Sequence, residues 1–429
     1  MKRAGGNEYN SNLATQHRSF DLLMKKSNAG DRCRRVSHRS LGTGDDSMNQ
    51  MPQDDSPHKI LKKPSTAPQA VKPAEHQSLL PSSTTGERKI EHVRLCLNEE
   101  VGASGITAGF EHYRFRHNAL PELNYDDISL RTLFLGRELR TPLLISSMTG
   151  GSKATGAIND RLAEAAERRG WALGVGSVRA AVERSELAAT FQVRNKAPGI
   201  PVIANIGAVQ LSYGFGVDEC RRAVEIAGAD WLVLHLNGLQ EVFQPEGNTG
   251  FADLLTRIEQ VCRELSVPVG VKEVGWGIDA DTASRLYSAG AAFIDVAGAG
   301  GTSWSQVEKF RSTDPVRRAA AEAFADWGIP TAECIAEVRA ALPHGALIGS
   351  GGLKHGVDAA KALALGADLA GFGRNLLGPA VESEEALDHA LAQVELELRT
   401  AMFGIGAPDL AALRGTPRLI RLQKQVKDY

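Results

Sequence analysis

Cysteine is scarce in this chain and shows no pairing pattern. Five fall among 429 residues, at Cys33, Cys96, Cys220, Cys262 and Cys334, and none forms a C-x-x-C. An odd, scattered set excludes a disulfide framework and a cysteine zinc site, and makes a reducing cytoplasm the expected compartment. No apolar run reaches the roughly eighteen residues that a membrane-spanning helix needs. Net charge is nearly absent: 49 Lys and Arg against 51 Asp and Glu leave −2, so no electrostatic footprint for nucleic acid is present. Also missing is the early G-x-G-x-x-G with an acidic strand end that marks an open dinucleotide-binding sheet. What the chain has in quantity is glycine, 44 residues of it.

The near-neutral average conceals two unlike segments. Residues 1–85 carry 13 basic and 8 acidic residues, a balance of +5, and the rest of the chain carries −7. The first segment has Tyr9 and Phe20 as its only aromatics and prolines at 52, 57, 64, 68, 73 and 81. Such a stretch buries too little apolar surface to offset its chain entropy, and it reads as a disordered extension. Its basic patch (Arg32, Arg34, Arg35, Arg39) is also of the kind that contacts RNA or a membrane surface. Glu8, Asp21 and Asp31 interrupt the basic run, and no apolar stretch follows, which argues against a targeting peptide.

Residues 86–429 follow a repeating rhythm. Short apolar runs end in glycine or small polar residues, at Leu143–Ser147, Trp171–Val175, Val202–Ile206, Trp231–Leu236, Val269–Val274, Phe293–Ala297, Ala346–Ser350 and Leu369–Phe372. Helical patterns alternate with them, at Ala157–Arg169, Asp218–Ala227, Phe251–Leu265, Ala280–Ala289 and Val357–Leu365. Gly170, Gly228, Gly290 and Gly366 follow where a helix end favours positive φ. Eight strand-helix units predict an α/β fold, a (β/α)8 TIM barrel. In such a barrel the chemistry belongs to the C-terminal strand tips.

Those tips are polar and rich in glycine. Glycines after strands seven (Gly351, Gly352) and eight (Gly373) suit backbone approach to a phosphate, with Arg374 as an added donor. Lys272 ends an apolar strand. It reads as an ion pair with Glu273 or Asp295, as a Schiff-base lysine, or as positive charge beside a cofactor that becomes anionic on reduction. With Thr149, Ser177 and Asn205 as neutral partners, a flat heterocycle plus phosphate fits, and FMN answers that description. His235 and Asn237 share one strand face, and Gln240 and Glu241 follow. Glu241 reads either as a solvated loop charge or as a Mg²⁺ carboxylate beside a diphosphate.

These residues fall in ordered motifs: Arg88-Lys89-x-x-His92, His117-x-Ala119-Leu120-Pro121-Glu122, Ser147-Met148-Thr149-Gly150-Gly151, His235-Leu236-Asn237-x-x-Gln240-Glu241, Val271-Lys272-Glu273-Val274-Gly275, Asp295 through Trp304, and Ser350-Gly351-Gly352-Leu353. In them the body resembles the type 2, flavin-dependent isopentenyl-diphosphate Δ-isomerases over nearly its whole length. The resemblance implies a barrel that binds FMN and Mg²⁺. It also implies interconversion of isopentenyl and dimethylallyl diphosphate, with reduced flavin, NADPH as electron source and no net redox change. By the same resemblance Arg88 and Lys89 hold the diphosphate with Ser177 and Arg179, Gln240 is catalytic and lies against the allylic carbons, and Glu241 ligates Mg²⁺. Ser147, Met148, Thr149, Ser177, Asn205, Lys272, Thr302, Gly351, Gly352, Gly373 and Arg374 match the FMN contacts. A small-molecule diphosphate is the expected partner, without nucleic acid or membrane, and the family is typically a homo-oligomer.

Three features depart from the family pattern. Val178 stands where Gln is usual, the strand-eight tip Gly371-Phe372-Gly373-Arg374-Asn375 matches more loosely than the other motifs, and the long N-terminal extension is additional. Two other readings remain. An FMN-dependent 2-hydroxy-acid oxidase needs a His base and an Arg pair, for which His355 and Arg374 are the candidates near strands seven and eight. A non-catalytic flavin or phosphate sensor follows if Val178 marks degeneration.

Overall fold

The computed structural model describes residues 85–422. The disordered-extension reading of residues 1–85 thus lies outside the described residues, except that Thr85 opens the helix Thr85–Asn98 (α1). Eight strands follow: Leu143–Ile145 (β1), Ala172–Gly174 (β2), Val202–Gly207 (β3), Trp231–His235 (β4), Val269–Lys272 (β5), Phe293–Asp295 (β6), Ala346–Ser350 (β7) and Leu369–Phe372 (β8). Each coincides with one of the eight apolar runs. All pair in parallel with their chain neighbours, and β8 pairs with β1, Gly371 opposite Leu144, to close the barrel. The runs are apolar on both faces because one face fills the barrel and the other packs under helices.

The helices after α1 are Lys153–Arg169 (α2), Arg179–Glu183 (α3), Val217–Ala227 (α4), Gly238–Phe243 (α5), Leu254–Glu264 (α6) and Ala280–Ser288 (α7). Then come Trp304–Arg311 (α8), Pro315–Glu322 (α9), Thr331–Ala341 (α10), Gly356–Leu365 (α11), Arg374–Glu382 (α12) and Glu384–Ile405 (α13). Gly170, Gly228, Gly290 and Gly366 all have positive φ, at or just after a helix end, as expected. Helix α2 begins four residues earlier than the apolar pattern indicates. Ser152 caps it by accepting from Thr155 N, while Thr155 Oγ1 accepts from Ser152 N. This reciprocal box uses Thr where Glu or Gln is the usual signal.

Residues ahead of the barrel form its floor. The strands Thr132–Phe134 and Arg137–Leu139 make a hairpin about Leu135 and Gly136, both at positive φ, as a two-residue turn between twisted strands requires. Phe134 and Leu139 pack into the lower barrel interior against Leu144, Ala172, Ile203, Val233, Ile348 and Leu369. The Phe134 ring meets Trp231 at 5.4 Å and Phe293 at 6.0 Å between centroids. Burying Phe134 stabilises this end by about 2–3 kcal/mol. Gly270 leaves room for the Phe293 ring, since a Cβ there would stand 2.3 Å from it. A further strand, Tyr113–Phe115, pairs antiparallel with Leu419–Arg421 and joins the two ends of the described chain. With the base stoppered, the open end lies at the C-terminal strand tips.

Candidate active site

At that end lies a cavity of about 540 Å³. Every site residue expected from sequence lines it: Ser147, Met148 and Thr149 after β1, Ser177 and Arg179 after β2, Asn205 on β3, Gln240 and Glu241 on α5, and Lys272 on β5. Thr302 follows β6, Gly351 and Gly352 follow β7, Gly373 and Arg374 follow β8, and Arg88 and Lys89 reach in from α1. Separate strand ends supply these groups because a parallel barrel brings all its C-terminal tips to one rim.

The floor is hydroxylic and glycine-rich, with Lys272 beside it. The Ser146 and Thr149 hydroxyl oxygens are buried and lack hydrogen-bond partners among the described residues. Orphaned buried hydroxyls are costly, and they fit a polar ligand at this place. At Gly351 (φ 103°) an added Cβ would come within 2.2 Å of Gly298 O, so the tips of β6 and β7 interlock only because the side chain is absent. Gly373 differs, because a Cβ there would meet no atom of the other described residues within 4 Å. Helix α12 starts directly after it, with Arg374 as its first residue. Glycine backbone beside a helix N-terminus and a guanidinium is a donor set suited to a phosphate. These residues therefore fit FMN.

Lys272 forms neither of the ion pairs considered from sequence. Its Nζ donates to the Glu273 carbonyl at 2.6 Å. Burial holds its pKa below the usual lysine value, against the opposing charges of Asp295 and Glu273. Asp295 is occupied by Ser350 Oγ at 2.6 Å and Ala297 N at 3.3 Å. On β4, His235 Nδ1 lies 2.8 Å from Asn205 Oδ1. Burial, then the charges of Lys272 and Lys89, drive the His235 pKa down to about 3, so the ring is neutral. With Nδ1–H donating to the amide oxygen, Nε2 is left as an acceptor.

Helix α5 carries one wall of the cavity. The Gln240 amide is fixed at both ends: Oε1 accepts from Asn237 Nδ2 at 3.3 Å, and Nε2 donates to Glu308 Oε1 at 3.2 Å. Glu241 accepts from Asn237 Nδ2 (2.8 Å) on one oxygen and from Asn248 N (2.6 Å) on the other. It is not the solvated loop charge that was the alternative, since it is buried. Asn237 Oδ1 beside it is buried and lacks a hydrogen-bond partner among the described residues. No cluster of three or more His, Cys, Asp or Glu side chains of the kind that holds a metal exists among the described residues. One carboxylate with a free amide oxygen suits Mg²⁺, which keeps waters and takes substrate phosphate oxygens.

Glu308, on α8, is a site residue that the strand-tip reading missed. It accepts from His92 Nε2 (3.1 Å), Gln240 Nε2 (3.2 Å) and Arg311 NH1 (2.6 Å). Burial alone would raise its pKa; the bond and charge of His92, with Arg311 and Gln240, outweigh it and hold the carboxyl at about 2. His92 belongs to a quoted motif, but its partner is 216 positions away. Lys89 sits nearby, where burial and then the charge of Arg88 lower its pKa to about 8 despite Glu308 and Glu241. Arg88 donates to Glu246, and Arg179 to Glu183 and Asn248.

Two expectations resolve against the alternatives. Val178 is fully buried and turned away from the cavity, with its backbone N–H on Asn205 O at 2.8 Å. A core side chain at that position removes one amide from the site and leaves Ser177 and Arg179 in place. His355 caps α11, its Nδ1 accepting from Asp358 N at 3.2 Å, and it does not line the cavity. The histidine base of a 2-hydroxy-acid oxidase is thus not supplied by His355.

Comparison with known proteins agrees with this geometry. Residues 239–421 match the FMN-dependent dehydrogenase family. Solved structures of the same fold include a mandelate oxidase with (S)-2-phenylpropionate (TM-score 0.54, 21% identity, 77% of this chain and 93% of that one). A Pediococcus acidilactici protein described as a lactate oxidase gives TM-score 0.55 at 18% identity, covering 78% and 90%. At such identities the likeness concerns the barrel alone. Sequence relatives are much nearer. The isopentenyl-diphosphate delta-isomerase of Oceanobacillus iheyensis is 54% identical over 342 residues, 80% of this chain and 98% of the relative. That of a Nostoc species is 50% identical over the same length and shares. At 54% identity over 80% of this chain and 98% of the relative, the chain belongs to the isopentenyl-diphosphate delta-isomerase family.

Proposed function

We propose that this protein interconverts isopentenyl diphosphate and dimethylallyl diphosphate, feeding isoprenoid biosynthesis in the cytoplasm, with reduced FMN and Mg²⁺ bound and NADPH as electron source. One observation carries the reading. One cavity joins a hydroxylic, glycine-rich floor beside Lys272 to a mouth bearing Arg88, Lys89, Arg179 and the carboxylate Glu241, and this suits a flat cofactor beneath a diphosphate. No helix among the described residues is long and apolar enough to cross a membrane. Assembly into a homo-oligomer is part of the same proposal.

Moving the double bond requires protonation at one carbon and deprotonation at another, through a cation-like state. When bound, reduced FMN supplies the proton donor and acceptor for that exchange. The chain's own residues bind, orient and exclude water. Arg88, Lys89 and Arg179 would hold the diphosphate, and Glu241 would hold its magnesium. Gln240, fixed between Asn237 and Glu308, presents an uncharged amide edge to the allylic carbons and offers the cation no nucleophile. Ionised Glu308 stands behind that amide and favours developing positive charge. Neutral His235 and Asn205 set hydrogen-bond polarity at the floor without adding charge. Lys272, with Gly351, Gly352, Gly373 and Arg374, would hold FMN.

The reduced, FMN-loaded protein incubated anaerobically with isopentenyl diphosphate and Mg²⁺ should form dimethylallyl diphosphate, followed by proton NMR. Absence of conversion would overturn the assignment.

A further inference from the structure

The turn that leaves α5, residues 244–250, touches the charged groups at the mouth from outside. Its near end is anchored by Arg317 NH1, which donates to the carbonyls of Val242, Phe243 and Gln244 at 3.0–3.3 Å. Its far end is anchored by Gly250 N on Tyr213 Oη at 3.1 Å. Between them, Gly247 lies so close to the Glu241 carbonyl that a Cβ would stand 1.8 Å from its oxygen. The flanking residues do not line the cavity themselves but bond to side chains that do. Glu246 Oε1 accepts from Arg88 NH1 and Arg311 NH2, each at 3.2 Å. Asn248 Oδ1 accepts from Arg179 NH1 (3.2 Å) and Gln210 Nε2 (3.3 Å), and its backbone N–H holds Glu241 at 2.6 Å.

We propose that Glu246 and Asn248 are positioning residues for the diphosphate, the turn holding Arg88, Arg179 and Glu241 in the arrangement that meets a pyrophosphate group and its cation. This rests on the isomerase reading only in taking the ligand's head to be a diphosphate. Arginine carries several rotatable bonds, and a guanidinium orientated before binding loses less freedom on contact. Each contact leaves donors to spare. Glu246 uses only NH1 of Arg88, so the guanidinium keeps its other N–H groups for the ligand. Asn248 is a neutral acceptor and orients Arg179 without adding a negative charge next to the expected anion. The same turn extends the grip to α1. Arg311 bonds Glu91 (3.0 Å) as well as Glu246, so the helix that carries Arg88 and Lys89 is tied to the turn through α8.

The test uses the FMN-loaded holoenzyme titrated calorimetrically with inorganic pyrophosphate in the presence of Mg²⁺, alongside KM and kcat for isopentenyl diphosphate. Asn248→Ala and Glu246→Ala should each weaken pyrophosphate binding about tenfold, the scale of one immobilised side chain. The loss should appear in KM rather than kcat, with flavin absorbance as in the parent protein. Glu246→Gln keeps an acceptor for Arg88 and should recover most of the loss. Parent-like pyrophosphate affinity in both alanine variants overturns the proposal. So does a parallel loss of flavin and thermal midpoint in every variant, Glu246→Gln included, or a parent protein that does not bind pyrophosphate. A parent protein that binds pyrophosphate but converts no isopentenyl diphosphate removes the isomerase reading and leaves the positioning role standing.

Discussion

Lys89 combines a half-buried side chain with a pKa of about 8, set first by desolvation and then by Arg88. Its charge is complete well below pH 8 and is lost as pH rises through that value. If the cation meets the diphosphate, kcat/KM, which reports the free enzyme, should fall above about pH 8. Arginine stays protonated throughout this range, so Lys89→Arg should move the alkaline limb beyond pH 9. A limb that stays in place in the variant would assign the titration elsewhere. The residues named from sequence gather in one cavity because the family motifs and the strand tips both point to the rim. Glu308 escaped because it sits on a helix, seven residues past Gly301, the last glycine of its tip. Arg311 is its i+3 neighbour on the same helix, but His92 and Gln240 come from two other elements, and nothing periodic in the sequence joins those two to it. Glu246 and Asn248 likewise read as ordinary turn residues until the fold sets them beside Arg88 and Arg179.

At the level of elements, the tips of β6 and β7 are mutually dependent. Gly351 lies against Gly298, and Thr331 Oγ1 donates to the Gly351 carbonyl at 2.6 Å. Gly351→Ala should therefore cost about 1–3 kcal/mol in unfolding free energy, the range for forced overpacking, and should release flavin. Gly373→Ala places its methyl where no atom of the other described residues stands within 4 Å, so it should lower flavin retention with a much smaller change in midpoint. Thermal unfolding monitored by far-UV circular dichroism, paired with flavin absorbance after gel filtration, separates the two; equal midpoints would show that the interlock carries little weight. The eight strands could be read in advance because each is an apolar run bounded by glycine, alternating with a capped helix. The hairpin at 132–139 could not. Its strands are three residues each, and its turn carries Leu135 in place of the Asn or Asp that usually announces one.

For the whole molecule, the −7 body is close in length to the 342 residues over which the Oceanobacillus relative matches. An alignment covering 80% of this chain takes in 98% of the Oceanobacillus protein. A chain starting at Thr85 should accordingly keep its flavin and its thermal midpoint within a few degrees, measured by differential scanning fluorimetry. A fall of ten degrees or more would give the first segment a structural role. The pairing of Tyr113–Phe115 with Leu419–Arg421 was beyond sequence reading, because two three-residue strands some 300 positions apart leave no local trace.

The stopper formed by Phe134 and Leu139 also bears on traffic. A vessel closed at its base has one doorway, so an arriving isomer and a departing one cannot pass each other. Under the proposed reaction both carry the same anionic head and would anchor to the same cations. Each should then act as a purely competitive inhibitor of the other, and release of one isomer must precede entry of the next.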